Sequence, residues 1–248
     1  MARYGWRTGL AVLAIWWLLA ASLAAAAQPL TIACEQYPPY EFLENGQPRG
    51  LCVELVQEAC QRLGLTPEFR FMAWTQAQEQ VRTGQVQAIM SLYRTPERER
   101  FLVFPARQLA EERVAAVVRK DSGVRVRGVD DLAGLRVGVN AGYAYGPVID
   151  ELQGLNKVEV TSLGDLLRDL VEGKTDVALG NEMTMIHLAF QLKLTRKLEI
   201  QRIIYSAPLF IGFAKAQGAK AQELADGFDR VLKALEDEGL AARIRAQY

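Results

Sequence analysis

The sequence predicts an α/β protein of two doubly wound lobes joined by a two-stranded hinge, and three of its features carry that expectation. From Leu30 onward, short apolar strands alternate with amphipathic helices, the order required by a mostly parallel sheet flanked by helices. The series starts afresh at residues 114–118, a continuous apolar run followed by the polar turn 119–123, so the pattern occurs twice. The tail then carries two further apolar segments, 203–205 and 209–214, which have to cross back between the lobes.

In the first round, a strand at 30–34 leads into a turn-rich loop through Pro38, Pro39 and Asn45-Gly46, then a helix at 51–63 ended by Gly64. A strand at 68–73, with Phe69 and Phe71 on one face, precedes a helix at 75–82 ended by Gly84 and a strand at 86–91. The second round begins with the strand 114–118 and continues with a strand at 135–139, a helix opening after Gly142 and a strand at 157–160. A helix at 163–172 follows, with Ser162 placed to cap it and Gly173 to stop it, then a strand at 177–179 and a helix at 182–192. Helices at 222–235 and 240–246 close the chain. The expected division is a leader at 1–27, a first lobe from 28–113, a hinge strand and second lobe over 114–205, and a return hinge with the rest of the first lobe over 206–248. The hinge would pair 114–118 with part of 206–213, and the cleft it creates is a favoured place for a ligand.

Arg3 and Arg7, an apolar run from 10 to 20 and the small residues Ala24 to Ala27 read as a secretory leader cleaved after Ala27. The run falls short of the roughly 20 residues that span a bilayer, an uncleaved anchor being the alternative. Cys34 lies within the first strand and not directly after the apolar stretch, so a lipid anchor is not expected. Lys plus Arg and Asp plus Glu each number 29, and without the leader the chain is slightly acidic. No basic stripe with interleaved aromatics occurs, which argues against nucleic acid. Of the three cysteines, Cys52 and Cys60 share a helical face with Leu55, Val56 and Leu63, as buried free thiols would, while a Cys34–Cys52 bridge stays open.

Several pieces resemble, in order, one known family. They are Tyr37-Pro38-Pro39-Tyr40-Glu41, residues 46–50 leading into Val53-Glu54-Leu55, Trp74 with Gly84 ahead of Val86, and Thr95-Pro96-Glu97-Arg98 followed by Phe104-Pro105. Residues 131–139, Gly142, residues 173–178 and the ending 235–248 complete the series. The chain is similar to the family 3 extracellular solute-binding proteins, the amino-acid-binding group of ABC importers with the type II periplasmic fold. The resemblance implies a periplasmic, monomeric binding protein without cofactor or metal. It would capture an amino acid or similar small carboxylate by closing its lobes, then hand it to an inner-membrane ABC permease.

A guanidinium fork matches a carboxylate bidentately and stays charged at physiological pH, and the resemblance gives Arg98 the role of gripping the ligand carboxylate. Ser91 and Tyr93, at the end of a strand, would add hydroxyl and main-chain contacts. Tyr37, Tyr40 and Trp74 fall on loops at strand ends, where aromatic rings can wall a ligand. Amides at Asn140-Ala141-Gly142, at the start of the expected helix, would favour an anionic group, although Tyr143 follows where the family commonly offers a small hydroxyl residue. An aspartate usually meets the ligand ammonium where this chain has Asn181, leaving Glu182 either to turn inward or to stabilise its own helix. Gly84-Gln85-Val86-Gln87 departs from the usual Gly-x-x-Asp as well.

Catalysis is not expected. His187, the single histidine, lies in an apolar helical pattern, no metal-ligand spacing occurs, and Glu35, Glu41 and Glu182 are the acids that fall near the cleft. An enzyme resembling the cyclohexadienyl or arogenate dehydratases of this fold, and a binding protein that feeds a sensor, are the alternatives.

Overall fold

The computed structural model describes residues 28–248, so the expected leader at 1–27 lies outside the described residues. Strand β1 (Gln28–Cys34) pairs parallel along its whole length with β4 (Leu65–Phe71) and, on its other side, with β5 (Ala88–Leu92). Helix α1 (Leu51–Arg62) covers this sheet with Leu55, Val56, Ala59 and Cys60, all fully buried. Several elements differ from the sequence reading. The expected loop around Asn45-Gly46 is a hairpin of β2 (Phe42–Glu44) and β3 (Gln47–Arg49), because both turn residues adopt the positive φ that a tight hairpin turn needs. Strand β4 starts three residues earlier than expected, since Gly64 ends the helix and turns directly into it. Helix α2 (Trp74–Arg82) completes this lobe's first half, which also has a short strand β6 (Leu102–Val103).

The hinge is longer than the sequence suggests. Strand β7 (Ala110–Arg119) begins four residues before the expected start, and the two tail segments are one strand, β11 (Leu198–Ala214). They pair antiparallel from Leu209 opposite Ala110 to Leu198 opposite Arg119. The end of β11 also pairs with β5 and β6, whereas β7 pairs with β10 (Val177–Asn181), followed by β8 (Arg136–Asn140) and β9 (Asn156–Val160). One nine-stranded sheet thus runs through both lobes in the order β4-β1-β5-β11-β7-β10-β8-β9, with β6 on β11.

No helix opens directly after Gly142. The left-handed φ of +72° at Gly142 interrupts the chain, and a single turn, α3 (Pro147–Asp150), forms later with proline at its first position. In α4 (Leu163–Val171) the Ser162 side chain caps the helix by accepting from the Asp165 N–H, as expected. Helix α5 (Glu182–Gln191) follows β10, with His187 against the Phe42 ring, while α6 (Ala219–Asp237) and α7 (Leu240–Arg245) return to pack on the first lobe. Cys34, Cys52 and Cys60 are buried free thiols.

Candidate functional site

Where β1 and β5 end, the first lobe offers a loop held from below. Leu51 and Cys52 donate their N–H groups to the carbonyls of Pro39 and Tyr40, and Gly50 makes this approach possible at φ +122°. A Cβ there would lie 2.4 Å from the Tyr40 carbonyl oxygen, so only glycine fits. Glu41, fully buried in this loop, accepts from Ser91 Oγ at 2.5 Å and from the Glu35 N–H at 3.1 Å. It thereby fixes Ser91 in its uncommon left-handed conformation, φ +58°, and places Glu35 at the cleft. Burial pushes the Glu41 carboxyl well above the usual range, with the Ser91 bond opposing it.

Arg98 extends from a one-turn 3-10 helix, Arg98–Arg100, and is only 5% exposed. Its Nη1 donates to the Tyr93 carbonyl at 3.1 Å and its Nη2 to the Gly142 carbonyl at 3.4 Å. The guanidinium lies 5.3 Å from the centre of the Trp74 ring. Among the described residues it has carbonyl and aromatic neighbours but no carboxylate at ion-pair distance. A cation taken out of water without a counter-ion is costly, and burial lowers its pKa, yet a guanidinium remains charged. The pocket is therefore electrostatically incomplete on that side.

Arg98 lines a small solvent-open cavity together with Glu35, Tyr37, Trp74, Glu112 and Tyr143, with Ser91 and Tyr93 in the same lining. Tyr37 Oη donates to Glu112 Oε1 at 2.5 Å and Tyr143 Oη donates to Glu35 Oε1. The Tyr143 ring stands edge-on to both Tyr37, at 6.2 Å, and Trp74, at 5.7 Å. Burial raises Glu35 to about 8, opposed by its Tyr143 bond. Burial likewise raises Glu112, while the Tyr37 phenol and the nearby Tyr93 and Asn181 groups favour its ionised form. Side chains from both lobes and from the hinge strand thus converge on one small polar cavity walled by aromatics.

A model of the bacterial extracellular solute-binding proteins, family 3, matches residues 30–248. The chain belongs to this family. Among curated relatives, the arginine-binding extracellular protein ArtP of Bacillus subtilis (strain 168) is 24% identical over 223 residues, covering 86% of this chain and 82% of ArtP. Among solved structures, a histidine kinase sensor domain with similarity to periplasmic binding proteins superposes with a TM-score of 0.80 at 26% identity, covering 90% of this chain and 96% of that one. A variant of ArgBP from T. maritima gives a TM-score of 0.76 at 23% identity, with 89% and 94% covered, a likeness of fold.

Within the family 3 frame, the sequence-predicted residues divide. The cavity brings together Arg98, Tyr37, Trp74, Ser91, Tyr93 and Tyr143. Gly142 is near it but offers the opposite group from the one expected. Its carbonyl accepts from Trp74 Nε1 at 2.9 Å, Gln78 Nε2 at 3.2 Å and Arg98 Nη2, because no helix starts there to turn its amides toward an anion. Tyr40 lies behind the site, its hydroxyl donating to the Glu111 carbonyl at 3.0 Å. Asn181 caps α5, accepting from the Thr184 N–H at 3.0 Å, and donates to Tyr40 Oη at 3.1 Å. Glu182 pairs with Arg113 at 3.2 Å, away from the cavity lining. Neither Asn181 nor Glu182 lines the pocket that the sequence reading gave them.

Glu112 was missing from that reading. With the strand expected to start at Val114, residue 112 had no assigned face; the observed strand starts at Ala110, and Ala110, Glu112 and Val114 are buried while Glu111 and Arg113 are exposed. The alternation extended two residues earlier was the available signal.

Proposed function

We propose that the protein captures a small carboxylate-bearing solute, an amino acid or a close relative of one, between its lobes and delivers it to an ABC-type importer of the inner membrane. The observation that carries this reading is the buried Arg98 guanidinium, which has no carboxylate at ion-pair distance among the described residues and faces the cleft cavity. A ligand carboxylate would complete it with a charge-assisted, bidentate pair. The amino-acid-binding names of the relatives support the class of ligand, and the extracellular family supports a periplasmic site of action behind a leader cleaved near Ala27. Catalysis has less support, since the cavity acids Glu35 and Glu112 are each engaged with a phenol.

Thermal denaturation of the mature protein against a panel of amino acids, polyamines, organic acids and small peptides tests the reading. A true ligand at a hundred times its Kd adds about 2.7 kcal/mol of stability. A shift with amino acids or other carboxylates supports the proposal, and a panel response restricted to ligands without a carboxylate overturns it. The likeness to a histidine kinase sensor domain favours a second reading, delivery of the ligand signal to a sensor. Stimulation of the reconstituted importer's ATPase by the loaded protein separates the two.

A further inference from the structure

We infer that Glu112, on the hinge strand, receives an N–H-bearing ammonium group of the ligand, so that the solute is a zwitterion held between Arg98 and Glu112 without any second-lobe anion. This rests on the binding reading above and names the charge pattern of its ligand.

Glu112 is 7% exposed and lines the same cavity as Arg98. Its Oε1 accepts from Tyr37, and the Tyr93 and Asn181 side chains lie beside the carboxyl and favour its ionised form. Tyr93, 6% exposed, lines the cavity beside it, and its hydroxyl is buried without a hydrogen-bond partner. A buried hydroxyl left unmatched is unfavourable, so the site asks for a further polar group at that point. An ammonium brings three donors to the lone pairs left on the Glu112 carboxylate and on Tyr93 Oη.

The other acids are engaged elsewhere. Glu41 holds Ser91 and the Glu35 amide, Glu35 receives the Tyr143 phenol, and Glu182 is paired with Arg113. Asn181, at the place where an anion would otherwise stand, spends its oxygen on the α5 cap. A trimethylated ammonium has no N–H to offer, so the same geometry disfavours betaines.

The test is calorimetry with the best amino acid from the thermal panel, its desamino analogue and its N-trimethyl form. Wild type should bind the amino acid at least about 30-fold more tightly than either analogue, the loss expected when a buried charged partner goes unmatched. Glu112→Gln should weaken the amino acid about tenfold or more and bring the amino and desamino affinities close together, while Glu182→Gln should leave the preference intact. Equal binding of amino and desamino forms by wild type, persistence of the preference in Glu112→Gln, or its loss in Glu182→Gln overturns the inference. Should Glu112→Gln not fold, Tyr93→Phe replaces it: weaker binding of the amino acid alone supports the assignment, and an equal change for both ligands overturns it. Failure of the binding reading is separate, since then no carboxylate of the panel shifts the melting temperature at all.

Discussion

Tyr37 Oη donates to Glu112 Oε1 across 2.5 Å, tying the first-lobe loop to the strand on which the lobes hinge. The bond is buried at both ends, so its removal leaves a carboxyl without its phenol donor. Tyr37→Phe should lower stability by about 1–3 kcal/mol, the usual loss for a buried polar group deprived of its partner. Urea denaturation of the two proteins measures it, and an unchanged midpoint would mean that Glu112 finds another donor.

Arg98→Ala should weaken ligand binding by about 2–5 kcal/mol, since the ligand carboxylate would be buried without its charged partner. Arg98→Lys should recover part of that loss, because an ammonium keeps the charge but not the planar fork. Calorimetry on the three proteins decides, and wild-type affinity in Arg98→Ala would remove Arg98 from the site.

How much of this was legible in the sequence follows from how local each feature is. Alternating apolar strands and amphipathic helices are written in periodicity, so the two-lobed α/β fold could be read, and Arg98, Tyr37, Trp74, Ser91, Tyr93 and Tyr143 fall on strand ends and loops that such a fold turns toward its cleft. Side-chain direction at segment ends is not local in the same way. The resemblance puts Asn181 where an aspartate usually meets the ligand ammonium, but the residue also precedes a helix, and the unsatisfied amides of the α5 start take its oxygen. The sequence predicts a helix start at Gly142, whereas its left-handed φ leaves the carbonyl, not the amides, toward Arg98. Glu112 was lost to a strand boundary, the least certain part of any periodicity argument.

Asn181→Asp should leave amino-acid affinity unimproved. Aspartate would still accept from the Thr184 N–H, so its charge would be drawn to the α5 start, and it would lose the donor now given to Tyr40 Oη. Asn181→Ala should cost about 1 kcal/mol or more of stability through the missing cap. Calorimetry and urea denaturation report the two effects separately, and a marked gain in affinity from Asn181→Asp would return this position to the ligand site.

Trp74 Nε1 joins the lobes through the Gly142 carbonyl at 2.9 Å, with Gln78 and Arg98 as further donors to the same oxygen. Removing one donor biases the closed arrangement only slightly, by about 1 kcal/mol. Trp74→Phe should therefore give a larger radius of gyration than wild type by small-angle scattering, and ligand should narrow the difference by shifting both toward closure. Identical radii for the two ligand-free proteins would mean that this contact does not help hold the lobes together.

The pH dependence of stability should carry the mark of Glu35. Burial raises its carboxyl from an ordinary 4.5 to about 8, so between those values the folded protein holds a proton that the unfolded chain has released. Its contribution is fully present below about pH 4.5 and is lost as pH rises toward 8, with a limiting slope of about 1.4 kcal/mol per pH unit for one proton. Glu41 and Glu112, also raised by burial, act in the same direction. Asp165, Asp176 and Glu238 are lowered, each first by a hydrogen bond to its carboxylate, and they lose their contribution only as pH falls further into acid. Urea midpoints should therefore decline from pH 5 to pH 8, and Glu35→Gln, which cannot ionise, should flatten the decline. An equal slope in wild type and Glu35→Gln would show that the Glu35 carboxyl is already ionised in the folded protein.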